Sequence, residues 1–156
     1  MKTAIFAGSF DPFTNGHFDI LKRGTTIFDK IIVAVAFNPQ KAGFLPVEKR
    51  VELIKEVIKE LPNTEVDSFE GLTVEYAKKR NASFLLRGLR TEADFNYETE
   101  LANINRTLCS EIETVFITTM PEYSFISSSA VREIYNNRGD FSKLVPEPVF
   151  KYLTNH

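Results

Sequence analysis

The sequence predicts a doubly wound α/β fold on a five-stranded parallel sheet, for three reasons. Short runs of consecutive apolar residues recur along the chain. Such runs suit strands buried on both faces, as a parallel sheet requires. Segments with helical spacing of apolar residues lie between them, so strand and helix alternate as in crossover-connected folds. Finally, there is no linker, low-complexity tract or internal repeat, so residues 1–156 read as one domain.

The elements follow in order. Strands are expected at residues 3–8, 31–37, 64–69, 83–87 and 114–118. The run at 64–69 is the most polar and suits an edge position. In the segment 17–28, Ile20, Leu21, Gly24 and Phe28 fall on one helical side. The segment 46–61 carries Val47, Val51, Ile54, Val57, Ile58 and Leu61 as a stripe, with Pro46 suited to the first helical position. The segment 92–108 places Tyr97, Leu101, Ile104 and Leu108 on one side, after a capping-type Thr91 and Asp94. Shorter helices are expected at 72–80, 128–137 and 148–153. Ligands in such folds bind outside the carboxyl ends of the strands, at a switch in strand order. The segments after Gly8, Phe37, Phe69, Leu86 and Thr118 should therefore carry the site.

Composition narrows the classes of function. At 156 residues with 43% hydrophobic and 26% charged content, the chain can fold around an ordinary core. A net charge of -2 argues against non-specific binding to nucleic acid or anionic membrane. The single cysteine, Cys109, excludes an internal disulfide and reads as a small core residue. No apolar run approaches the ~20 residues that span a bilayer. The opening MKTAIFAGSF lacks the pattern of a signal peptide, so a cytoplasmic location is expected.

The first strand runs into Gly8-Ser9-Phe10-Asp11-Pro12-Phe13-Thr14-Asn15-Gly16-His17. Asn15-Gly16 reads as a turn, after which His17 opens a helix, where free N–H groups favour anions. By position alone a helix-start histidine is a structural hydrogen-bonding residue. Asp11 before Pro12 reads as a loop-fixing residue rather than a metal ligand. Neither G-x-G-x-x-G nor G-x-x-x-x-G-K-[ST] is present, which argues against dinucleotide dehydrogenases and P-loop kinases. Arg87-Gly88-Leu89-Arg90 stands just past the fourth expected strand. Phe125-Ile126-Ser127-Ser128-Ser129 with Arg132 stands between the fifth and a helix. By themselves the arginines read as solvated charges and the serines as a helix cap.

Together these motifs resemble the nucleotidyltransferase superfamily, whose signature is G-x-F-D-P followed by H-x-G-H, and which has a Rossmann-like fold. Thr14 stands where the first histidine is usual. That T-x-G-H form, with R-G-L-R and the following Asp94-Phe95-Asn96-Tyr97-Glu98, is similar to the phosphopantetheine adenylyltransferase branch. The likeness runs from residue 3 to about residue 150.

The resemblance implies AMP transfer from ATP to 4′-phosphopantetheine, giving dephospho-coenzyme A and pyrophosphate, by direct attack of the acceptor phosphate on the α-phosphorus. It implies a catalytic His17 donating to the α-phosphate. Ser9, Phe10, His17, Gly88, Leu89, Arg90, Glu98 and the segment Tyr123, Ser124, Phe125, Ile126, Ser127, Ser128 and Ser129 would bind ATP. Ser9, Lys41, Thr73 and Arg87 would bind the acceptor, with Arg87 on its phosphate. Magnesium is expected with ATP, and no residue is assigned as its ligand. A homohexamer and feedback by coenzyme A are implied by the resemblance alone. Two alternatives remain open in the sequence. One is a sister enzyme using nicotinamide mononucleotide or a phospho-alcohol, and the other is a non-catalytic nucleotide-binding module on the same scaffold.

Overall fold

The computed structural model describes residues 1–156. Its parallel strands are β1 (Thr3–Gly8), β2 (Lys30–Ala36), β3 (Thr64–Phe69), β4 (Phe84–Leu89) and β5 (Glu113–Thr118). They lie in the order β3-β2-β1-β4-β5, so the chain works outward from β1 to one edge and then crosses to the other side. The helices are α1 (Asn15–Gly24), α2 (Val47–Ile58), α3 (Thr73–Lys79), α4 (Glu92–Leu108), α5 (Ser128–Asn136) and α6 (Glu147–Thr154). This is the doubly wound α/β architecture that the alternating pattern predicts, with its switch point between β1 and β4.

The period of two along a strand sorts the core into two layers. Ala4 and Phe6 of β1 pack with Ile31, Val33 and Val35 of β2 against Ile20 and Leu21 of α1 and Ile54 and Ile58 of α2. Their neighbours Ile5, Ala7, Ile32 and Ala34 face the other way, onto Val74, Tyr76 and Ala77 of α3. Burying each large aliphatic chain here is worth ~1.5–3 kcal/mol. Cys109 is buried in this second layer, as a small core residue would be. Gly24 lets α1 close on the sheet, since a Cβ there would stand 2.8 Å from Leu86 and 2.9 Å from Ile31. A third cluster joins Leu53 of α2, Val131 of α5 and Val149 and Leu153 of α6, and brings the C-terminal helices beside the first loop. The polar run 64–69 is the edge strand β3, with only Phe69 fully buried.

Four local expectations need correction. α1 begins at Asn15, not after an Asn-Gly turn. Thr14 is its N-cap, and the Asn15 N–H finds an acceptor in the Leu144 carbonyl at 2.9 Å. Pro46 is the N-cap of α2 rather than its first helical residue. β4 runs on to Leu89, because pairing with β5 continues through Arg87↔Phe116, Gly88↔Ile117 and Leu89↔Thr118. Gly88 and Leu89 therefore belong to the strand and do not follow it. The apolar stripe of α4 also does not face the core. Tyr97, Ile104 and Leu108 are 64%, 56% and 49% exposed, while Glu98 and Ala102 are the buried residues of that helix.

Candidate active site

β1 and β4 pair only as far as Phe6↔Leu86, although both strands continue. A crevice opens where they part, and a cavity of about 290 Å³ lies there. Its wall includes Gly8, Ser9, Phe10, His17, Arg87, Gly88, Arg90, Glu98, Ile126, Ser127 and Ser128. The residues after β1, β4 and β5 thus converge as the strand-end rule requires.

His17 occupies the third helical position of α1 and closes a reciprocal cap with Thr14. The Thr14 hydroxyl accepts the His17 N–H at 3.2 Å, and the Thr14 N–H donates to His17 Nδ1 at 3.0 Å. A Glu or Gln side chain usually makes this second bond. Burial, then the positive charges of Arg90 and Arg87, push the imidazole down from 6.5 to about 3. The ring is therefore neutral near pH 7, and with Nδ1 accepting, its proton resides on Nε2. The ring is half-buried at the cavity wall, with Phe10 edge-on at 4.9 Å and Phe13 at 5.4 Å between centroids. The arrangement presents one fixed, uncharged donor.

The loop that leads to His17 is tightly specified. Phe10 has φ of 47° and only 3% exposure, so its ring is core and only its backbone can meet a ligand. A Cβ at Gly8 would approach that ring to 3.1 Å, which explains the glycine. The Asp11 carboxylate accepts the N–H groups of Phe44 and Leu45 at 2.7 and 2.8 Å, in keeping with a loop-fixing role.

Arg87 and Glu98 form one unit. Arg87 Nε donates to Glu98 Oε2 at 2.8 Å, its Nη2 to Oε1 at 2.5 Å, and its Nη1 to the Ala7 carbonyl at 2.6 Å. The last bond satisfies β1 where β4 has left it. Glu98 is buried, and its carboxylate is spent on the guanidinium. What faces the cavity is an oriented arginine with N–H groups to spare, a geometry suited to phosphate oxygens.

The β5 side closes the crevice. Arg90 Nη1 donates to the Ile126 carbonyl at 3.2 Å, and its Nε lies 3.3 Å from Asp94. The serines divide their work. Ser127 caps α5 by accepting the Ala130 N–H, Ser128 donates to the Pro12 carbonyl at 2.8 Å, and Ser129 is exposed beside Arg132. The cap directs free N–H groups of α5 toward the cavity region, where anions are favoured. Leu89 is buried, so only its backbone is open to a ligand. Tyr123 and Ser124 lie in the turn after β5, and Phe125 beside them is 67% exposed. These three and Ser129 stand outside the cavity wall.

Lys41 and Thr73 are also outside it. Lys41 is exposed on the loop after β2, and Thr73 is half-buried at the start of α3 after β3. Sequence reasoning missed Thr14 as part of the cavity wall, and Arg50 as a buried charge bonded to the Ser9 carbonyl behind it. Arg50 looked like one more polar residue of α2. Its signal was a charge placed beside the apolar stripe, within one helical turn of the loop.

The cytidylyltransferase-like family profile matches residues 5–134. The chain is 51% identical over 98% of its length to the phosphopantetheine adenylyltransferase of Caldanaerobacter subterraneus subsp. tengcongensis, covering 96% of that protein. It is 50% identical to that of Crocosphaera subtropica, over 98% of both chains. It is 56% identical to that of Gloeothece citriformis, over 97% of this chain and 96% of the other. The chain belongs to the cytidylyltransferase-like family, in its phosphopantetheine adenylyltransferase branch. Within that family the T-x-G-H segment gains a physical reading here, since the threonine caps the helix whose histidine it orients. No cluster of three or more His, Cys, Asp or Glu side chains comes together in the fold. No helix is long and apolar enough to cross a membrane.

Proposed function

We infer that this chain is a nucleotidyltransferase that moves AMP from ATP to 4′-phosphopantetheine, giving dephospho-coenzyme A and pyrophosphate, with residues 1–156 as one catalytic domain. The observation that carries the reading is a neutral His17, fixed with its proton on Nε2, in a crevice flanked by Arg87 and Arg90. Attack of one phosphate on another needs no protein nucleophile. It needs positioning, and donors where negative charge grows. His17 Nε2–H donates to a non-bridging α-oxygen. A neutral imidazole suits this role, because it keeps its proton while the charge develops.

Arg90, the backbone of Phe10, Gly88 and Leu89, Glu98 and the segment 123–129 form the ATP side. Ser127 and Ser128, at the start of α5, receive the β- and γ-phosphates. Ser9, Lys41, Thr73 and Arg87 form the acceptor side. Glu98 serves the nucleotide side through the strand end it braces, because its carboxylate holds Arg87. Magnesium enters as the ATP complex. The cavity carboxylates Asp94 and Glu98 are paired with Arg90 and Arg87, so phosphate oxygens and water supply most of its ligands. The enzyme acts in the cytoplasm. Six copies assemble, and the exposed stripe of α4 provides apolar surface for contact between them. Coenzyme A, which carries the same pantetheine arm, competes at the acceptor side.

The test is a panel with magnesium and ATP. Pyrophosphate and dephospho-coenzyme A should appear with 4′-phosphopantetheine, and nothing above background with nicotinamide mononucleotide. Turnover with the second acceptor alone would transfer the chain to a sister activity, and none with either would leave a binding module. Light scattering on the same preparation should give six times the protomer mass, and added coenzyme A should raise the apparent KM for the acceptor. A monomer mass, or an unchanged KM, would remove those two assignments.

A further inference from the structure

Arg50 is the least expected charge in the molecule. It lies in the first turn of α2 and is 7% exposed, in a position where an unpaired cation is costly. Its facing carboxylate is Asp11, yet the two stand 3.8 Å apart, too far for a direct hydrogen bond. Both groups spend their hydrogen bonds on loop backbone. Arg50 Nε donates to the Leu45 carbonyl at 3.0 Å and Nη1 to the Ser9 carbonyl at 2.9 Å. Asp11 accepts the N–H groups of Phe44 and Leu45. Gly43 lies over the pair so closely that a Cβ would stand 2.7 Å from Asp11 Oδ2 and 2.9 Å from Arg50 Nη2.

We propose that Arg50, acting with Asp11, is a positioning residue that clamps the loop after β2 to the loop after β1 and so sets the acceptor half of the site. The proposal rests on the acceptor roles given above to Ser9 and Lys41. A buried ion pair is by itself weak evidence of a stabilising role. Here the hydrogen bonds go to backbone instead: Arg50 grips both loops, and Asp11, from the first, grips the second. The clamp reaches Ser9 directly, and it reaches Lys41 through residues 43–45. The opposite flank of the first loop is held separately, by Arg132 Nη1 on the Asp11 carbonyl at 2.8 Å and by Ser128 on the Pro12 carbonyl. Loosening Arg50 should therefore disturb the acceptor, which meets both loops, more than the nucleotide, which meets only the first.

The experiment compares the full-length enzyme with Arg50→Met, Arg50→Lys and Gly43→Ala, varying each substrate in turn. Arg50 does not touch the acceptor, so its loss acts by misplacing Ser9 and Lys41, and misplacement of about 1 Å can cost ten-fold or more. The KM for 4′-phosphopantetheine should thus rise about ten-fold in Arg50→Met, while that for MgATP rises about three-fold or less. Lysine keeps the charge without the fork and should recover only part of the loss. Gly43→Ala removes no buried charge and sits on an exposed loop, so it decides the matter if Arg50→Met does not fold. It should show the same selective rise. Amide exchange at Phe44 and Leu45 should quicken in every variant, a readout independent of turnover. Equal shifts in both KM values, or unchanged kinetics with unchanged exchange, would overturn the clamp. A wild-type protein inert toward the acceptor would instead strike the proposed function.

Discussion

The two sides of the crevice are built differently. On the β4–β5 side, Arg87, Gly88, Arg90, Ile126, Ser127 and Ser128 wall the cavity, with Arg90 bonded to Ile126, Arg87 to Glu98 and Ala7, and Ser128 to the first loop. On the β2–β3 side, Lys41 is exposed and Thr73 stands off the wall. One flank is a bonded cavity wall, and the other offers side chains that stand away from it. A bonded wall loses little freedom on binding a ligand, whereas an exposed lysine side chain must be ordered at a cost. His17 stands at the seam, fixed by the Thr14 cap and by the rings of Phe10 and Phe13.

The sharpest way to break this comparison is at the seam. His17→Ala should lower kcat by ~10²–10³ while MgATP affinity changes far less, because the bond strengthens only in the transition state. Steady-state kinetics beside a binding titration would check it, and equal losses would mean that the ring merely binds. Next come the halves themselves. Arg90→Ala should raise the KM for MgATP, and Lys41→Ala that for the acceptor, each by about ten-fold, the worth of one charged hydrogen bond. Crossed effects would erase the division. The smallest effect is on acid stability. His17 titrates near 3 in the native protein against 6.5 ordinarily, so between these values the unfolded chain holds a proton that the native chain lacks. Stability should rise with pH across that window and level off above it. His17→Gln preserves the reciprocal cap and removes this titration. Denaturant melts from pH 3 to 7 should therefore show a shallower slope for the variant.

Much of this was legible in the residues. Consecutive apolar runs located the four strands other than the polar edge strand β3, because a sheet covered on both faces leaves no polar side to alternate with. The motif segments foretold which loops would meet. Three things were hidden because they depend on partners distant in sequence. The length of β4 follows from pairing with β5, which local pattern does not carry. Glu98 looks like a solvated helix charge until Arg87 is brought against it across the fold. The stripe of α4 has the spacing of a core face, and periodicity cannot say whether such a face turns toward its own sheet or away from it.

The reciprocal bond between Thr14 and His17 has a consequence for heat. An imidazole that also fastens the opening turn of its helix can work only while that turn is wound. Warming frays helix ends before it melts a sheet. Catalysis would then fail first, with the strands still paired, and the ceiling on working temperature would be set by a few residues at one end of α1.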